Sequence, residues 1–315
     1  MGERADMAKG THEYEEDARN ASILVDVNGK LVPRDEAVVS VFDSGFILGD
    51  GVWEGLRLHN GRVPFLVRHL DRLYEGAKAL DLDIGMTRQA LADRLQDVVE
   101  ANGMISGVHI RLMVTRGLKA TPYQDPRVTV GVPTVVIIPE YKEPLTETKG
   151  NGIRLFTVHV RRGAPDVQDA KLNSHSKLNC ILACIQATKA GADEALMLDP
   201  HGFVATCNST HFFIVRGAEV WTSSGKYCLA GITRGNVIEL FRANAIPVFE
   251  KDFSLTDVYG ADEAFVTGTF AGITPVVEVD GRAIGEGGPG PMTELLDGLY
   301  AALIEAECPP PDGAG

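Results

Sequence analysis

Gly45-Phe46-Ile47-Leu48-Gly49-Asp50-Gly51-Val52-Trp53-Glu54-Gly55-Leu56-Arg57-Leu58 is a glycine-rich loop, Gly45 to Gly51, that runs into a strand. What flanks it decides the fold class. Upstream, Ile23-Leu24-Val25-Asp26-Val27 and Lys30-Leu31-Val32 enclose Asn28-Gly29. Asn-Gly between apolar runs is a strong hairpin signal, because both central residues of the tight turn need positive φ. Val38 to Phe42 reads as another strand, and Asn60-Gly61 as a second turn. Downstream, Leu66, Leu70, Leu73, Ala77 and Leu80 recur on one face of a helix. Leu91, Leu95 and Val98 mark a second helix, closed by Asn102-Gly103. Val108–Thr115 and Thr129–Ile138 are further strands. An antiparallel sheet with two helices is an α+β unit.

Glu140 to Asn151 is polar, carries Pro144 and Gly150, and reads as a linker. Beyond it lie strands at Ile153–Val160, Ala195–Leu198, His211–Val215, Glu219–Thr222, Glu263–Thr267 and Pro275–Val279. A helix is expected over Arg234–Ala243, and an amphipathic one over Met292–Glu305 closes the chain. The expected organisation is a loose polar segment over 1–20, a small α/β domain over 21–145, a large domain over 152–306 and a flexible tail over 307–315.

Composition narrows the function. A net charge of −13 argues against a general nucleic-acid binder. A local basic pocket could still take an anionic ligand. The five cysteines form no CxxC pair and no Cys/His ligand spacing, so no metal site is expected. Their odd number and the polar N-terminus fit a reducing cytoplasm. No apolar run approaches the roughly 18 residues of a membrane span.

Ser174-His175-Ser176-Lys177-Leu178-Asn179 carries the first chemical signal. Leu178, Ile181, Leu182 and Ile185 share one helical face, which sets Lys177 on the first turn, on the core side. The partly positive end of a helix disfavours an ammonium there, making Lys177 a candidate amine nucleophile for a carbonyl cofactor. The other reading is a surface lysine at a helix start. Gly231-Ile232-Thr233-Arg234-Gly235 opens another helix, with Thr233 as its expected cap and free N–H groups suited to a phosphate. Thr267-Gly268-Thr269 is a second phosphate-suited turn. Arg72, in His69-Leu70-Asp71-Arg72, could bring a guanidinium to the same anion or pair with Asp71 on a solvated face.

These motifs resemble those of the fold type IV, pyridoxal-phosphate-dependent enzymes, the family of branched-chain and D-amino-acid aminotransferases and aminodeoxychorismate lyase. The resemblance rests on Gly49–Arg57, His69–Leu73, Gly191-Ala192-Asp193-Glu194-Ala195, Gly231–Arg234 and Thr267-Gly268-Thr269 with Ile273-Thr274-Pro275-Val276, in that order. It implies a small α/β domain, a larger barrel-like α/β domain, pyridoxal 5'-phosphate between them, and a homodimer. It further implies that Arg72, Ile232, Thr233, Gly268 and Thr269 hold the phosphate. Phe270 and Ala271 would offer N–H groups to a substrate carboxylate, Arg111 or Arg116 would pair with that carboxylate, and Leu48 and Trp53 would wall the pocket. The implied reaction is transfer of an amino group between an amino acid, branched-chain-like or related, and a 2-oxo acid through a lysine aldimine. A carbon–carbon lyase and a catalytically silent cofactor-binding protein are the alternatives.

Two positions depart from the family pattern. Aligned without gaps on Ile181-Leu182-Ala183, Asn173 stands where relatives carry the cofactor lysine, and it is expected to contact the cofactor. Lys177 follows four residues later, and Lys171 precedes it by two, on the same strand face by the two-residue period. Lys177 is the favoured amine and Lys171 its rival. Thr206 stands where relatives place a glutamate against the pyridine nitrogen, and His211 replaces the family asparagine. A hydroxyl offers that nitrogen a hydrogen bond without a counter-charge.

Overall fold

The Asn28-Gly29 turn closes the first hairpin with φ values of 54° and 83°. It joins β1 (Leu24–Val27) to β2 (Lys30–Pro33), with Val27 opposite Lys30. The computed structural model describes residues 10–310, and these fall into two compact units. The smaller unit contains Glu15–Glu143, Leu172–Ser176 and the chain from Ile304. After the hairpin come α1 (Ser44–Leu48), β3 (Gly51–Leu58), α2 (Leu66–Ala79), α3 (Arg88–Ala101), β4 (Val108–Thr115), β5 (Leu118–Lys119), β6 (Thr129–Val130) and β7 (Thr134–Tyr141). The main sheet is antiparallel, in the order β2-β1-β7-β4-β3. Strand alternation buries Val52, Leu56 and Leu58 of β3 and Ile110 and Leu112 of β4 against Leu70 and Leu73 of α2 and Leu91 and Leu95 of α3. Each such side chain contributes about 1.5–3 kcal/mol by leaving water.

The larger unit holds Pro144–Lys171, Lys177–Leu303 and residues 10–14. Its elements are α4 (Thr146–Asn151), β8 (Ile153–Thr157), α5 (Pro165–Gln168), α6 (Leu178–Lys189), β9 (Glu194–Leu198), β10 (Val204–Cys207), β11 (His211–Arg216), β12 (Glu219–Thr222), α7 (Ile232–Ala243), β13 (Val248–Glu250), α8 (Leu255–Tyr259), β14 (Glu263–Gly268), β15 (Gly272–Val279), β16 (Arg282–Ala283) and α9 (Pro291–Glu307). The strands form one mixed sheet, β10-β9-β8-β15-β14-β11-β12-β13, with β16 on β15. Phe213 and Phe265 stack at 4.9 Å on the face that Phe241 of α7 covers. Phe212, Ile214 and Val266 pack on the opposite face with Phe253 and Val258.

Several expectations are corrected. Val38–Phe42 forms no strand, and its valines and Phe42 are exposed. The chain there makes a single main-chain bond to a distant segment, from Lys119 N to Phe42 O at 2.9 Å, too little to build a ladder on. The Gly45–Gly51 loop contains α1, because the Asp43 side chain accepts from Gly45 N and caps a helical turn. Thr129–Ile138 is broken after Val130, where Gly131 takes φ 83° ahead of Pro133. The linker region holds the end of β7 and all of α4. The strand at Val204–Cys207 and helix α8 had no clear sequence signal.

The largest correction concerns α6. Leu178 is 66% and Ile181 52% exposed, and Leu182 and Ile185 are exposed with them. The helix instead packs through Ala183 and Ala187 on Ala195 and Met197 of β9, since small residues let the helix lie close to the sheet. Of the expected loose termini, 1–9 and 311–315 lie outside the described residues. From Gly10 onward the N-terminal segment is engaged. Thr11 donates to Glu194, the His12 ring stacks on Phe270, and the Asn20 side chain bonds both main-chain groups of Tyr141.

Ala183 is fully buried. Ala183→Leu is expected to cost about 1–3 kcal/mol through overpacking, read as a lowered urea midpoint with an unchanged slope.

Candidate active site

In the smaller unit, the alternation that buries Val52 and Leu56 also buries Glu54. A carboxylate at a core position needs partners, and α2 supplies them. His69 Nδ1 lies 2.7 Å from Glu54 Oε2. Arg72 donates from Nε to Oε1 at 2.8 Å and from Nη2 to Oε2 at 2.6 Å. Burial pushes the Glu54 carboxyl up, but the hydrogen bonds from His69 and Arg72 outweigh it and hold the group below its ordinary range. Arg72 is thus oriented from behind by a buried carboxylate, while its neighbour Asp71 pairs with Arg88. The sequence reading named Arg72 but missed Glu54. The signal was a carboxylate in phase with the buried side chains of a strand.

The other face of β3 and β4 carries Trp53 and Arg111, with the guanidinium carbon 3.8 Å from the indole centroid. Burial pushes Arg57, Arg111 and Lys142 below their ordinary values. Arg116 is committed elsewhere. Its Nε and Nη2 hold Asp50 at 2.7 and 3.1 Å, and Nη1 and Nη2 cap the carbonyls of Asp81 and Leu80. These four bonds engage all three of its guanidinium nitrogens. Leu48 ends α1 and is exposed.

Residues 172–176 also belong to this unit and lie along β3. Trp53 N donates to Asn173 O at 3.0 Å, and Asn173 Nδ2 returns a bond to Trp53 O at 2.6 Å. Trp53 Nε1 donates to Ser174 O, and His175 N to Gly51 O. Gly49 sits at φ 68°, and a Cβ there would come within 2.7 Å of Ser176 Oγ, so glycine is required for conformation and for room. Asn173 is therefore buried and tied to a main chain.

In the larger unit, Lys177 is the N-cap of α6 and half-buried. Lys171 is exposed in a turn whose N–H donates to Asp169, so it shares no strand face with Asn173. Helix α7 is capped by Gly231, not Thr233, and the cap has no side-chain bond. Thr233 lies buried in the first turn, with Ile232 before it. Helix α7 packs on β14, which ends at Thr267-Gly268, and Thr269, Phe270 and Ala271 turn the chain into β15. Phe270 and Ala271 are buried. Thr267 Oγ1 is buried and has no hydrogen-bond partner among the described residues. Thr206 donates its hydroxyl proton to Thr210 O at 2.8 Å. Thr210 Oγ1 and Ser209 Oγ donate to the fully buried Glu194, whose carboxyl burial pushes up.

A helix start with no side-chain cap, next to a strand end with an orphaned hydroxyl, fits a phosphate group. Residues 51–279 match the family described as Amino-transferase class IV. The chain belongs to the class IV aminotransferase family. Among relatives of this aminotransferase-family chain, Branched-chain-amino-acid aminotransferase-like protein 2 of Arabidopsis thaliana is 42% identical over 286 residues, 91% of this chain and 51% of the relative. The chain spans about half the length of that relative and of its companion, protein 1. A putative branched-chain-amino-acid aminotransferase of Methanocaldococcus jannaschii is 42% identical over 86% of this chain and 92% of its own. A solved T.th. branched-chain amino acid aminotransferase with pyridoxamine 5'-phosphate is 31% identical, with a TM-score of 0.83 over 91% of this chain and 96% of that one.

Glu54→Gln is expected to destabilise the protein by about 3–5 kcal/mol, because it strips a buried cation of its partner. Since the folded Glu54 value is depressed, its contribution is present above the unfolded value of about 4.3 and is lost as pH falls through the folded one. Urea unfolding from pH 7 into acid would show the variant lacking that loss.

Proposed function

We propose that the protein is a pyridoxal-5'-phosphate-dependent aminotransferase that moves an amino group between an amino acid, branched-chain-like or related, and a 2-oxo acid. The observation that carries this reading is the orphaned Thr267 hydroxyl buried on the strand that packs against the start of α7, in a chain of the class IV family. When bound, the cofactor supplies an aldehyde that accepts an amine and a ring that takes up an electron pair.

The residues divide the work. In the larger unit, the N–H groups and hydroxyls of Ile232, Thr233, Gly268 and Thr269 hold the phosphate, and the resemblance adds Arg72, whose fork Glu54 orients. Lys177 carries a proton to and from the substrate α-carbon at Nζ. Phe270 and Ala271 offer N–H groups to the substrate carboxylate, and Arg111 offers a guanidinium. Trp53 and Leu48 bound the side chain. Thr206, whose hydroxyl proton goes to Thr210 O, meets the pyridine nitrogen as a neutral acceptor, so electron withdrawal is weaker than with a carboxylate. Asn173, held to Trp53, keeps β3 and residues 172–176 in register rather than serving as a nucleophile.

A homodimer suits the exposed apolar stripe of α6, because Leu178, Ile181, Leu182 and Ile185 would leave water in a second copy's contact. A reducing compartment such as the cytoplasm suits the unpaired cysteines. No helix among the described residues is long and apolar enough to cross a membrane.

Borohydride reduction of the cofactor-loaded protein, followed by peptide mapping, is expected to mark Lys177. The cofactor's absorbance shift should vanish in Lys177→Ala and persist in Lys171→Ala. Label on Lys171 would overturn the lysine assignment. Absence of both cofactor binding and amino transfer to any 2-oxo acid would overturn the function. Ile181→Glu is expected to halve the mass seen by light scattering while leaving the monomer folded.

A further inference from the structure

Gly10-Thr11-His12-Glu13-Tyr14 reads in sequence as part of a loose polar segment, yet it belongs to the larger unit. Glu13 N donates to Gly10 O at 3.0 Å, which closes a tight turn with Thr11 and His12 at its corners. The turn lies against the chain that enters β9. A Cβ on Gly10 would stand 3.0 Å from Asp193 O, so glycine lets the two main chains approach. Thr11 is 2% exposed. A polar corner residue is buried here because its hydroxyl meets a buried acid: Thr11 Oγ1 donates to Glu194.

Glu194 takes three hydroxyl donors, from Thr11, Ser209 and Thr210. A fully buried carboxyl that loses one of them is left short of a hydrogen bond, so the Thr11 contact anchors the segment. From that anchor the next residue reaches the turn between β14 and β15. The His12 ring stacks on Phe270, with centroids 5.5 Å apart and planes 11° from parallel. The β14–β15 ladder ends at the Gly268–Gly272 pair, so Thr269, Phe270 and Ala271 project beyond it. Phe270 is the largest side chain of the three, and it is 5% exposed with His12 against it.

We infer that residues 10–14 are a strap that fixes the conformation of the β14–β15 turn, with Thr11 as its anchor and His12 as a positioning residue that acts through Phe270. What the strap does for the reaction rests on the reading above, in which Phe270 and Ala271 offer N–H groups to the substrate carboxylate. A turn held by an outside ring presents those groups in one geometry. Less ordering is then left to be done when the carboxylate binds.

Hydrogen exchange by mass spectrometry on the full-length, cofactor-loaded protein reads the turn directly. His12→Ala is expected to speed exchange across residues 269–272 about fivefold and to leave β11 unchanged, while His12→Phe, which keeps a flat ring, should restore protection. Thr11→Val should speed the same segment and residues 207–210 with it, and Thr11→Ser should restore both. Exchange in β11 reports whether each variant folds, and if Thr11→Val does not, the His12 pair decides the question. The second measurement titrates the cofactor's absorbance with leucine, or with the common amino acid that the wild type converts fastest. His12→Ala is expected to raise the half-saturating concentration about fivefold, more than it lowers the maximal rate. Unchanged exchange at the turn in His12→Ala, an equal rise in β11, or no recovery in His12→Phe would overturn the strap. Faster exchange with an unshifted half-saturating concentration would overturn its part in carboxylate binding. A wild type whose cofactor spectrum answers no amino acid would instead overturn the cofactor reading, and the exchange result would still decide the strap.

Discussion

A carboxylate without water must be matched by cations or by hydrogen-bond donors, and Glu54 imposes that constraint on the smaller unit. Its position in β3 follows from strand alternation, which leaves it inside with Val52 and Leu56. Its neutralisation follows from α2, which returns across the sheet with His69 and Arg72 one helical turn apart. Neither half is stable alone. A strand with an unpaired buried carboxylate would not stay buried, and a helix with an unpaired guanidinium on its packed face would not pack. The pair ties α2 to β3 and orients an arginine at the same time. The same strand then holds residues 172–176 through reciprocal bonds between Asn173 and the Trp53 main chain.

The larger unit meets the opposite demand. Glu194 is buried without a cation and is satisfied by the hydroxyls of Thr11, Ser209 and Thr210. Its raised carboxyl contributes stability in acid that is lost as pH rises through the folded value. The loop from Cys207 to Thr210 is thereby pinned, and with it Thr206, whose hydroxyl is drawn to Thr210 O. At the start of α7 the His211 ring packs against Gly231, on the same sheet face as the Thr267 side chain. The unit thus satisfies its buried acid with its own hydroxyls.

Much of this was legible in sequence. Asn28-Gly29 marked the hairpin because its turn has few alternatives. The leucine spacing marked α2 and α3, and the order of short motifs identified the family. Elements without a local signature were not legible. Val204–Cys207 is a strand because β9 pairs with it, through a bulge between Val204 and Thr206. Val38–Phe42 is β-prone yet forms no strand. The four large apolar residues of α6 looked like a core stripe, but periodicity shows only that one face is apolar, not what covers it.

The linear chain by itself determined the family and the order of the short motifs that mark it. These depend on residue identity and local spacing, which survive in one dimension. Tertiary structure alone decided which arginine is available and which is spent, since Arg116 is consumed by Asp50 and two carbonyls. It alone turned the alanines of α6 inward and brought His211 against Gly231. Such outcomes depend on side chains far apart in sequence competing for the same partners and the same space, and that competition exists only once the chain is folded.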